Sequence, residues 1–214
     1  MTQEYYTSSH KLKTASLTPL EFAESTEVKK YISLVNDPRN AYNRLLNVDH
    51  LGNVWGGRPI TYVNVDRDVL KAACVAMLKK GLPIFFGSDV GAAGTDSQKG
   101  IMDTALVDYE LGFNVKLGMT KAQRLLTGES QMTHAMVLTA VHLDSEGKAV
   151  RWRVENSWSS SAGTEGYFVM SDAWMDEFCY QAVVDPAMVS KEVREVLKQE
   201  PEVLPLWDPM GALA

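Results

Sequence analysis

The sequence is poor in cysteine and has no long apolar run. Its 214 residues include two cysteines, Cys74 and Cys179, which excludes a disulfide framework and is typical of a reducing compartment. No CxxC or HExxH pair occurs, so we expect no metal site. The first residues lack the apolar core of a signal peptide, and no run has spanning length. We therefore expect a cytoplasmic chain without a membrane partner, and a mitochondrial form stays open because a targeting segment would lie upstream.

Basic residues are also scarce relative to acidic ones. Lysine and arginine number 21 against 27 aspartate and glutamate, for a formal net charge of -6 and a pI near 5.3. Nucleic-acid binding depends on basic clusters, so this chain gives no support for it. The glycine-rich stretch "GSDVGAAGT" lacks the Gly-Lys-Ser/Thr ending that cradles phosphate, and we expect no cofactor.

The sequence pattern predicts two helices and one strand in the first half of the chain. The residues from Thr18 to about Val35 predict a helix with a proline near its start. "DVLKAACVAMLKKG" predicts a clearer helix whose apolar stripe includes Cys74 and which Gly81 ends. A thiol on such a stripe is more often inert core than nucleophile. "LPIFF" then predicts a buried strand that leads into the glycine-rich loop.

A β-hairpin is predicted where "MTHAMVLTAV" and "AVRWRVENSW" flank the turn residues "HLDSEGK". With the turn centred on Ser145, opposed residues have numbers that sum to 290, and His134 lies across from Asn156. Opposed side chains share one face, about 4.5 to 5.5 Å apart at Cβ, so the imidazole can reach the carboxamide oxygen. Such an asparagine fixes the tautomer of a catalytic histidine. Trp158 shares that face and could cover the pair, although a satisfied core pair remains the alternative.

Several longer sequence motifs resemble those of a known family. "GESQMTHAMVLTAVH", "WRVENSWSSSAGTEGYFVMSDAW" and "EPEVLPLWDPMGALA" resemble the bleomycin hydrolase family, the self-compartmentalising branch of the papain-like cysteine peptidases. "LGNVWGGRPI" and "FFGSDVG" extend the resemblance over nearly the whole chain. It implies an α+β, papain-like fold in which His134 and Asn156 are the catalytic pair and Trp158 shields their contact.

The family's nucleophile has no counterpart among these residues. Neither "KAACVAM" nor "DEFCYQA" has the preceding Gln or the following Trp of the family's cysteine motif. The resemblance thus implies the C-terminal, β-rich lobe with flanking helices and a C-terminal arm, without the N-terminal helical lobe. A second departure is Ser159, where the family usually has glycine, so the bend after Trp158 is expected to differ or to pass to Gly163.

The resemblance also implies how the chain divides. We expect a helical or irregular region over about 1–65, the β-rich lobe over about 66–190 and the arm over about 191–214. In the family the arm lies in the active-site cleft, and Ala214 would carry a carboxylate that anchors the substrate's amino group. Without the resemblance, a disordered tail would be the natural interpretation.

Two functions remain open. The first is the C-terminal part of a cysteine aminopeptidase, inactive alone, whose substrates are peptides with a free amino terminus and whose family forms homohexamers. The second is a non-catalytic, truncated paralogue that acts as an assembly or binding module. Because the lobe interface would be exposed, we expect the isolated chain to aggregate or oligomerise.

Overall fold

The computed structural model describes residues 2–25, 31–52, 54–57, 59–91 and 94–212. It divides into two units, residues 1–30 and 31–214. In the first unit, β1 (Thr2–Tyr6) and β2 (Leu12–Ser16) pair antiparallel, and α1 (Pro19–Ser25) follows. Thr18 and Glu21 begin α1 with reciprocal hydrogen bonds between side chain and backbone, which satisfy two of the free N–H groups at the helix start.

An eleven-stranded mixed sheet forms the second unit. Its strands, in chain order, are β3 (Ile32–Val35), β4 (Arg44–Val48), β5 (Tyr62–Asn64), β6 (Ile84–Ser88), β7 (Thr95–Asp96), β8 (Ile101–Met102), β9 (His134–Leu143), β10 (Ala149–Glu155), β11 (Tyr167–Ser171), β12 (Cys179–Val184) and β13 (Glu202–Leu204). Across the sheet the order is β13-β4-β5-β3-β12-β6-β9-β10-β11-β8-β7. The helices are α2 (Arg67–Lys79), α3 (Tyr109–Phe113), α4 (Lys121–Thr127), α5 (Asp172–Phe178) and α6 (Lys191–Val196).

Two hydrophobic clusters lie on opposite faces of this sheet, because successive strand residues point to opposite sides. On β3, Leu34 belongs to the main cluster and Val35 to the second one. The main cluster also contains the α2 stripe and the buried Trp152 and Trp174. The prediction for α2 is confirmed, with Leu70, Ala73, Cys74 and Met77 buried.

The predicted helix from Thr18 to about Val35 is wrong beyond its first turns. Helix α1 ends at Ser25, and Ile32–Val35 is strand β3 in the interior of the sheet, while residues 26–30 lie outside the described residues. The β-branched Ile32 and Val35 are held by antiparallel β12 on one side and parallel β5 on the other, and this pairing overrides a weak helical period. Among the described residues up to position 65, the chain forms five strands in addition to helix α1. The functional division near 65 and 190 stays a prediction.

The hairpin β9–β10 exists, but its predicted register is wrong. The turn is centred on Glu146, since Asp144 N donates to Lys148 O at 2.9 Å. Arg153 pairs with Ala140 and Val154 with Leu138, so the sums are 293 and 292, with an irregularity between them. Continued by one residue beyond β10, this register sets Asn156 opposite Met136, diagonal to His134. Diagonal neighbours stay within reach of longer side chains.

The C-terminal segment packs on the sheet as far as it is described. Strand β13 runs parallel to the edge strand β4, and a 3-10 turn follows at Pro209–Gly211. Met210 in this turn is fully buried. The disordered-tail interpretation is therefore wrong for residues 202–212. Within the described residues, no helix has the length and apolar character to cross a membrane.

Candidate active site

His134 and Asn156 meet at one end of the hairpin. His134 is the first residue of β9, Asn156 directly follows β10, and His134 Nε2 lies 2.8 Å from Asn156 Oδ1. The half-buried imidazole thus faces an amide that is 9% exposed. The side-chain contact expected from the sequence is therefore formed, although through a diagonal relation rather than direct opposition.

The neighbouring backbone decides which ring nitrogen carries the proton. The N–H of Ser157 donates to Asn156 Oδ1 at 2.8 Å, and an N–H can only donate, so this atom is the carbonyl oxygen. His134 Nε2 must then be the donor to the same oxygen. The neutral ring keeps its lone pair on Nδ1, which has no hydrogen-bond partner among the described residues. This geometry suits a general base whose orientation is fixed from behind.

An aromatic pair covers the imidazole on one side. The rings of Trp158 and His134 lie 5.0 Å apart between centroids, with planes 32° apart, and Phe168 meets Trp158 edge-on at 5.9 Å. Trp158 is itself 39% exposed, so its outer face remains in solvent. The structure brings Trp158 to His134 as expected. That it shields the His134–Asn156 bond from water stays a prediction.

The bend after Trp158 passes through a strained serine. Ser159 has φ of 70°, in the left-handed region that favours glycine, and Gly163 has φ of 60°. The bend was expected to differ or to pass to Gly163, and the structure has positive φ at both residues. Ser159 Oγ lies 2.7 Å from Ser161 Oγ and accepts from Ser161 N at 3.3 Å, and these local bonds offset part of the strain.

A buried carboxylate supports the segment that leads into His134. Asp89, 5% exposed, directly follows β6 and accepts hydrogen bonds from Ser130 Oγ at 2.7 Å and from Gln131 N at 3.3 Å. Ser130 Oγ also lies 2.6 Å from the Tyr180 hydroxyl. The sequence analysis missed this network. The available signal was an aspartate placed directly after a buried strand, where no solvated role was expected.

Two polar atoms beside the imidazole have no partner. Ser88 stands directly opposite His134 in the β6–β9 register. Its Oγ and the Nδ2 of Asn156 are both buried and without a hydrogen-bond partner among the described residues. Buried orphan donors are costly, so this corner of the sheet is incompletely satisfied.

The two thiols lie elsewhere. Cys74 is fully buried on α2, Cys179 is 2% exposed at the start of β12, and both belong to the main hydrophobic cluster. Burial raises the pKa of the Cys74 thiol well above its ordinary range and raises the pKa of Cys179 to about 11. Both sulfurs are therefore neutral near pH 7, and a neutral thiol is a weak nucleophile.

Two further points concern the C-terminal residue and metal-binding groups. Ala214, expected to anchor substrate, lies outside the described residues. Among the residues that are described, no three His, Cys, Asp or Glu side chains gather as a metal-binding group.

Comparison with known proteins gives one consistent family. A sequence model of the Peptidase C1-like family matches residues 1–211. Aminopeptidase C of Listeria monocytogenes is 47% identical over 92% of this chain and 46% of its own length, and human bleomycin hydrolase is 47% identical over 94% and 46%. The crystal structure of PepW from Lactobacillus rhamnosis HN001 superposes with a TM-score of 0.92 at 43% identity, covering 100% of this chain and 49% of that one.

The chain thus spans about half the length of the curated relatives that it matches. The family model covers nearly all of it, and the identities lie far above the level at which folds diverge. This chain belongs to the Peptidase C1-like family, as a bleomycin hydrolase and aminopeptidase C-like cysteine peptidase family member.

Proposed function

We propose that this chain is the C-terminal part of a bleomycin-hydrolase-like cysteine aminopeptidase, and that His134 and Asn156 are its catalytic base and orienter. The observation that carries this proposal is the 2.8 Å bond between His134 Nε2 and an amide oxygen whose identity Ser157 N fixes. It leaves Nδ1 free to exchange a proton with a nucleophile. The nucleophile is a cysteine on a segment outside this chain.

The reaction then follows ordinary thiol-protease chemistry. His134 Nδ1 takes the proton of the incoming thiol, and the thiolate attacks the carbonyl carbon of the peptide bond. The imidazolium returns that proton to the leaving amine as the C–N bond breaks, which leaves a thioester. His134 next takes a proton from water as the water oxygen attacks the thioester carbon. The C–S bond then breaks and releases the acid, and the imidazolium returns its proton to the departing thiolate. Asn156 keeps the ring in one plane throughout.

The substrate class we propose is a peptide with a free amino terminus. The C-terminal segment lies beside the strand that carries His134, since Pro209 O accepts from Met132 N at 3.4 Å. Met132 precedes His134 by two residues, and the five Cα–Cα steps from Pro209 to Ala214 reach at most about 18 Å. A carboxylate on Ala214 within that reach would pair with an ammonium group and favour cleavage at the amino end. Assembly as a homohexamer with this site inside belongs to the same proposal.

One observation favours the second candidate, a non-catalytic assembly or binding module. The two thiols of this chain are buried in the core, and large apolar side chains are exposed elsewhere, among them Leu111 at 86%, Phe113 at 70% and Trp207 at 83%. Such exposed groups are available for association with another protein. Reading the coding sequence upstream of Met1 in frame for the Gln and Cys-Trp motif separates the two candidates at little cost.

The decisive experiment is complementation. We expect the purified chain alone to release no fluorophore from an aminoacyl substrate. Mixed with the part of Listeria monocytogenes aminopeptidase C that it does not match, and checked for co-elution, it should give turnover that a thiol alkylator blocks. His134→Ala should lower this turnover at least about a thousandfold, because the base is gone. Asn156→Ala should lower it about tenfold to a hundredfold, because the tautomer is no longer fixed.

His142→Ala is the matched control, since His142 lies on the same strand and is exposed. We expect it to keep full turnover. Alkylator-sensitive hydrolysis by the chain alone would contradict the external nucleophile. A co-eluting but inactive complex would favour the binding module.

A further inference from the structure

A cluster of three charges joins the beginning of the large unit to its end. Arg39, in the loop after β3, donates from Nε to Asp37 Oδ1 at 2.9 Å and from Nη2 to Asp37 Oδ2 at 2.8 Å. The same Nη2 donates to Asp208 Oδ1 at 2.9 Å. The side chains are 15%, 0% and 7% exposed for Arg39, Asp37 and Asp208. Such shielded, charge-assisted bonds hold geometry more firmly than exposed ion pairs.

Asp208 organises the turn that follows it. Its Oδ1 accepts from Met210 N at 2.9 Å, and its backbone carbonyl accepts from Gly211 N at 2.9 Å. The carboxylate therefore shapes the 3-10 turn at Pro209–Gly211 as well as binding Arg39. A group that caps a turn and meets a fixed cation sets both the shape and the position of that turn.

This turn touches the segment that leads into the candidate base. Met210 and Met132 are both fully buried and belong to the second hydrophobic cluster, together with Tyr180. Pro209 O also accepts the backbone N–H of Met132 at 3.4 Å. Residues 130–133 are thus held by Asp89 through Ser130 and by the C-terminal turn through Met132.

Strand β13 alone gives this turn little support. It is three residues long, lies at the sheet edge, and exposes Glu202 and Val203. Short edge strands open easily because few contacts hold them. The Arg39–Asp208 pair is the charged contact that fixes the chain between β13 and the turn.

We propose that Arg39, through Asp208, is a positioning residue for His134. The Arg39–Asp208 ion pair holds the C-terminal turn in contact with Met132. This contact sets where β9 begins and how the imidazole of His134 meets Asn156. A general base acts only within hydrogen-bond reach of its proton, so a displacement below 1 Å matters. The relevance for catalysis rests on the proposed function above, whereas the mechanical link can be measured without any turnover.

The experiment uses the whole chain and NMR of ¹⁵N-labelled imidazole and amide groups. Asp208→Asn is the principal variant, because Arg39→Ala would leave the buried Asp37 carboxylate without its cation. The asparagine keeps an acceptor for Met210 N but loses the charge. We expect the His134 Nε2 proton and the Met132 amide to exchange with water about tenfold faster, which corresponds to roughly 1.4 kcal/mol of local opening free energy. Amides of β3 should keep their protection.

Two further variants make the result specific. Arg39→Lys retains the charge without the fork, and it should therefore lose less of the wild-type protection than Asp208→Asn does. Arg44→Ala removes an exposed arginine on β4 and should change nothing at His134. A purely structural role would accelerate exchange at Met210 and leave the His134 nitrogen shifts and their pH titration unchanged, and that outcome would overturn the proposal. Unchanged hydrogen exchange at both the Met210 amide and the His134 Nε2 proton would overturn it too.

Because no substrate enters this test, it can fail while complementation succeeds. Conversely, the link between Arg39 and His134 can hold in a chain that serves only as a binding module. The two proposals are therefore tested independently.

Discussion

The imidazole of His134 and the two thiols occupy opposite kinds of environment. His134 lies at the start of β9, half in solvent, with Nε2 bound to Asn156 and Nδ1 without a partner among the described residues. Cys74 and Cys179 lie in the main core, where burial raises the pKa of both. The imidazole is thus placed where it can exchange a proton, whereas the two thiols are placed where they pack. The difference teaches that the two thiols present here are core residues, and it is the reason why the proposed function assigns the nucleophile to a segment outside this chain.

The largest effect should appear in thiol reactivity. Alkylation of Cys74 and Cys179 requires an opening of the core, which costs about 5 kcal/mol or more in an ordinary domain. We therefore expect iodoacetamide to label native chain at least about a thousandfold more slowly than chain unfolded in urea. Mass spectrometry of quenched time points measures both rates.

Ser160→Cys provides the control, because position 160 is exposed beside the site. Its added thiol should react in the native state while the two natural thiols stay unlabelled. If Cys74 or Cys179 is labelled as fast as the added thiol, the two natural thiols are accessible and the comparison with the half-exposed imidazole of His134 fails.

A smaller effect should appear in the pH dependence of stability. Burial raises the pKa of Cys179 from its ordinary value of 9.0 to about 11, so the folded chain keeps a proton that the unfolded chain releases. Its contribution is full below about pH 9 and is lost as the pH rises through about 11. Cys179→Ala should therefore lose less unfolding free energy over this interval, by on the order of 2 kcal/mol.

Urea denaturation at several pH values measures this difference. Burial lowers the pKa of Lys121 to about 8, so that lysine contributes with the opposite sign over part of the interval. Comparison of the wild type with the variant, rather than the wild-type curve alone, isolates the thiol. Parallel curves for the two proteins would mean that Cys179 titrates as a solvated thiol.

The smallest effect concerns strain beside the imidazole. Ser159→Gly should raise the free energy of unfolding by about 0.5–1 kcal/mol, because glycine accepts the φ of 70° that serine resists. Ser160→Gly, at a neighbouring residue without positive φ, should lower it slightly through unfolded-state entropy. Thermal or urea unfolding of the two variants measures both signs, and equal shifts would show that the bend stores no strain.

Local pattern was sufficient for some of this architecture. The apolar stripe of α2 and the strand at β6 follow from spacing alone, since burial of a continuous face decides them. The His134–Asn156 contact followed from the hairpin, although the assumed turn centre was one residue early. The contact forms in spite of this register error, because a carboxamide reaches a diagonal neighbour as well as an opposed one.

Other parts depended on distant residues. Ile32–Val35 became a strand because β12 and β5 flank it, and both partners lie beyond any local window. Asp89 and Arg39 find their partners about 40 and 169 residues away. Such long-range polar contacts leave no periodic signal in the sequence.

The parallel pairing of β13 with β4 joins two segments that are synthesised at different times, because they lie far apart along the chain. Residues 202–211 leave the ribosome after the hairpin that carries His134 and Asn156, yet they supply the turn on which Met132 packs. Until these residues are synthesised, the segment 130–133 that precedes β9 therefore lacks its contact with the C-terminal turn. Because contacts of such long sequence separation form late, we expect the region around His134 and Asn156 to be among the last parts of this unit to acquire its final geometry.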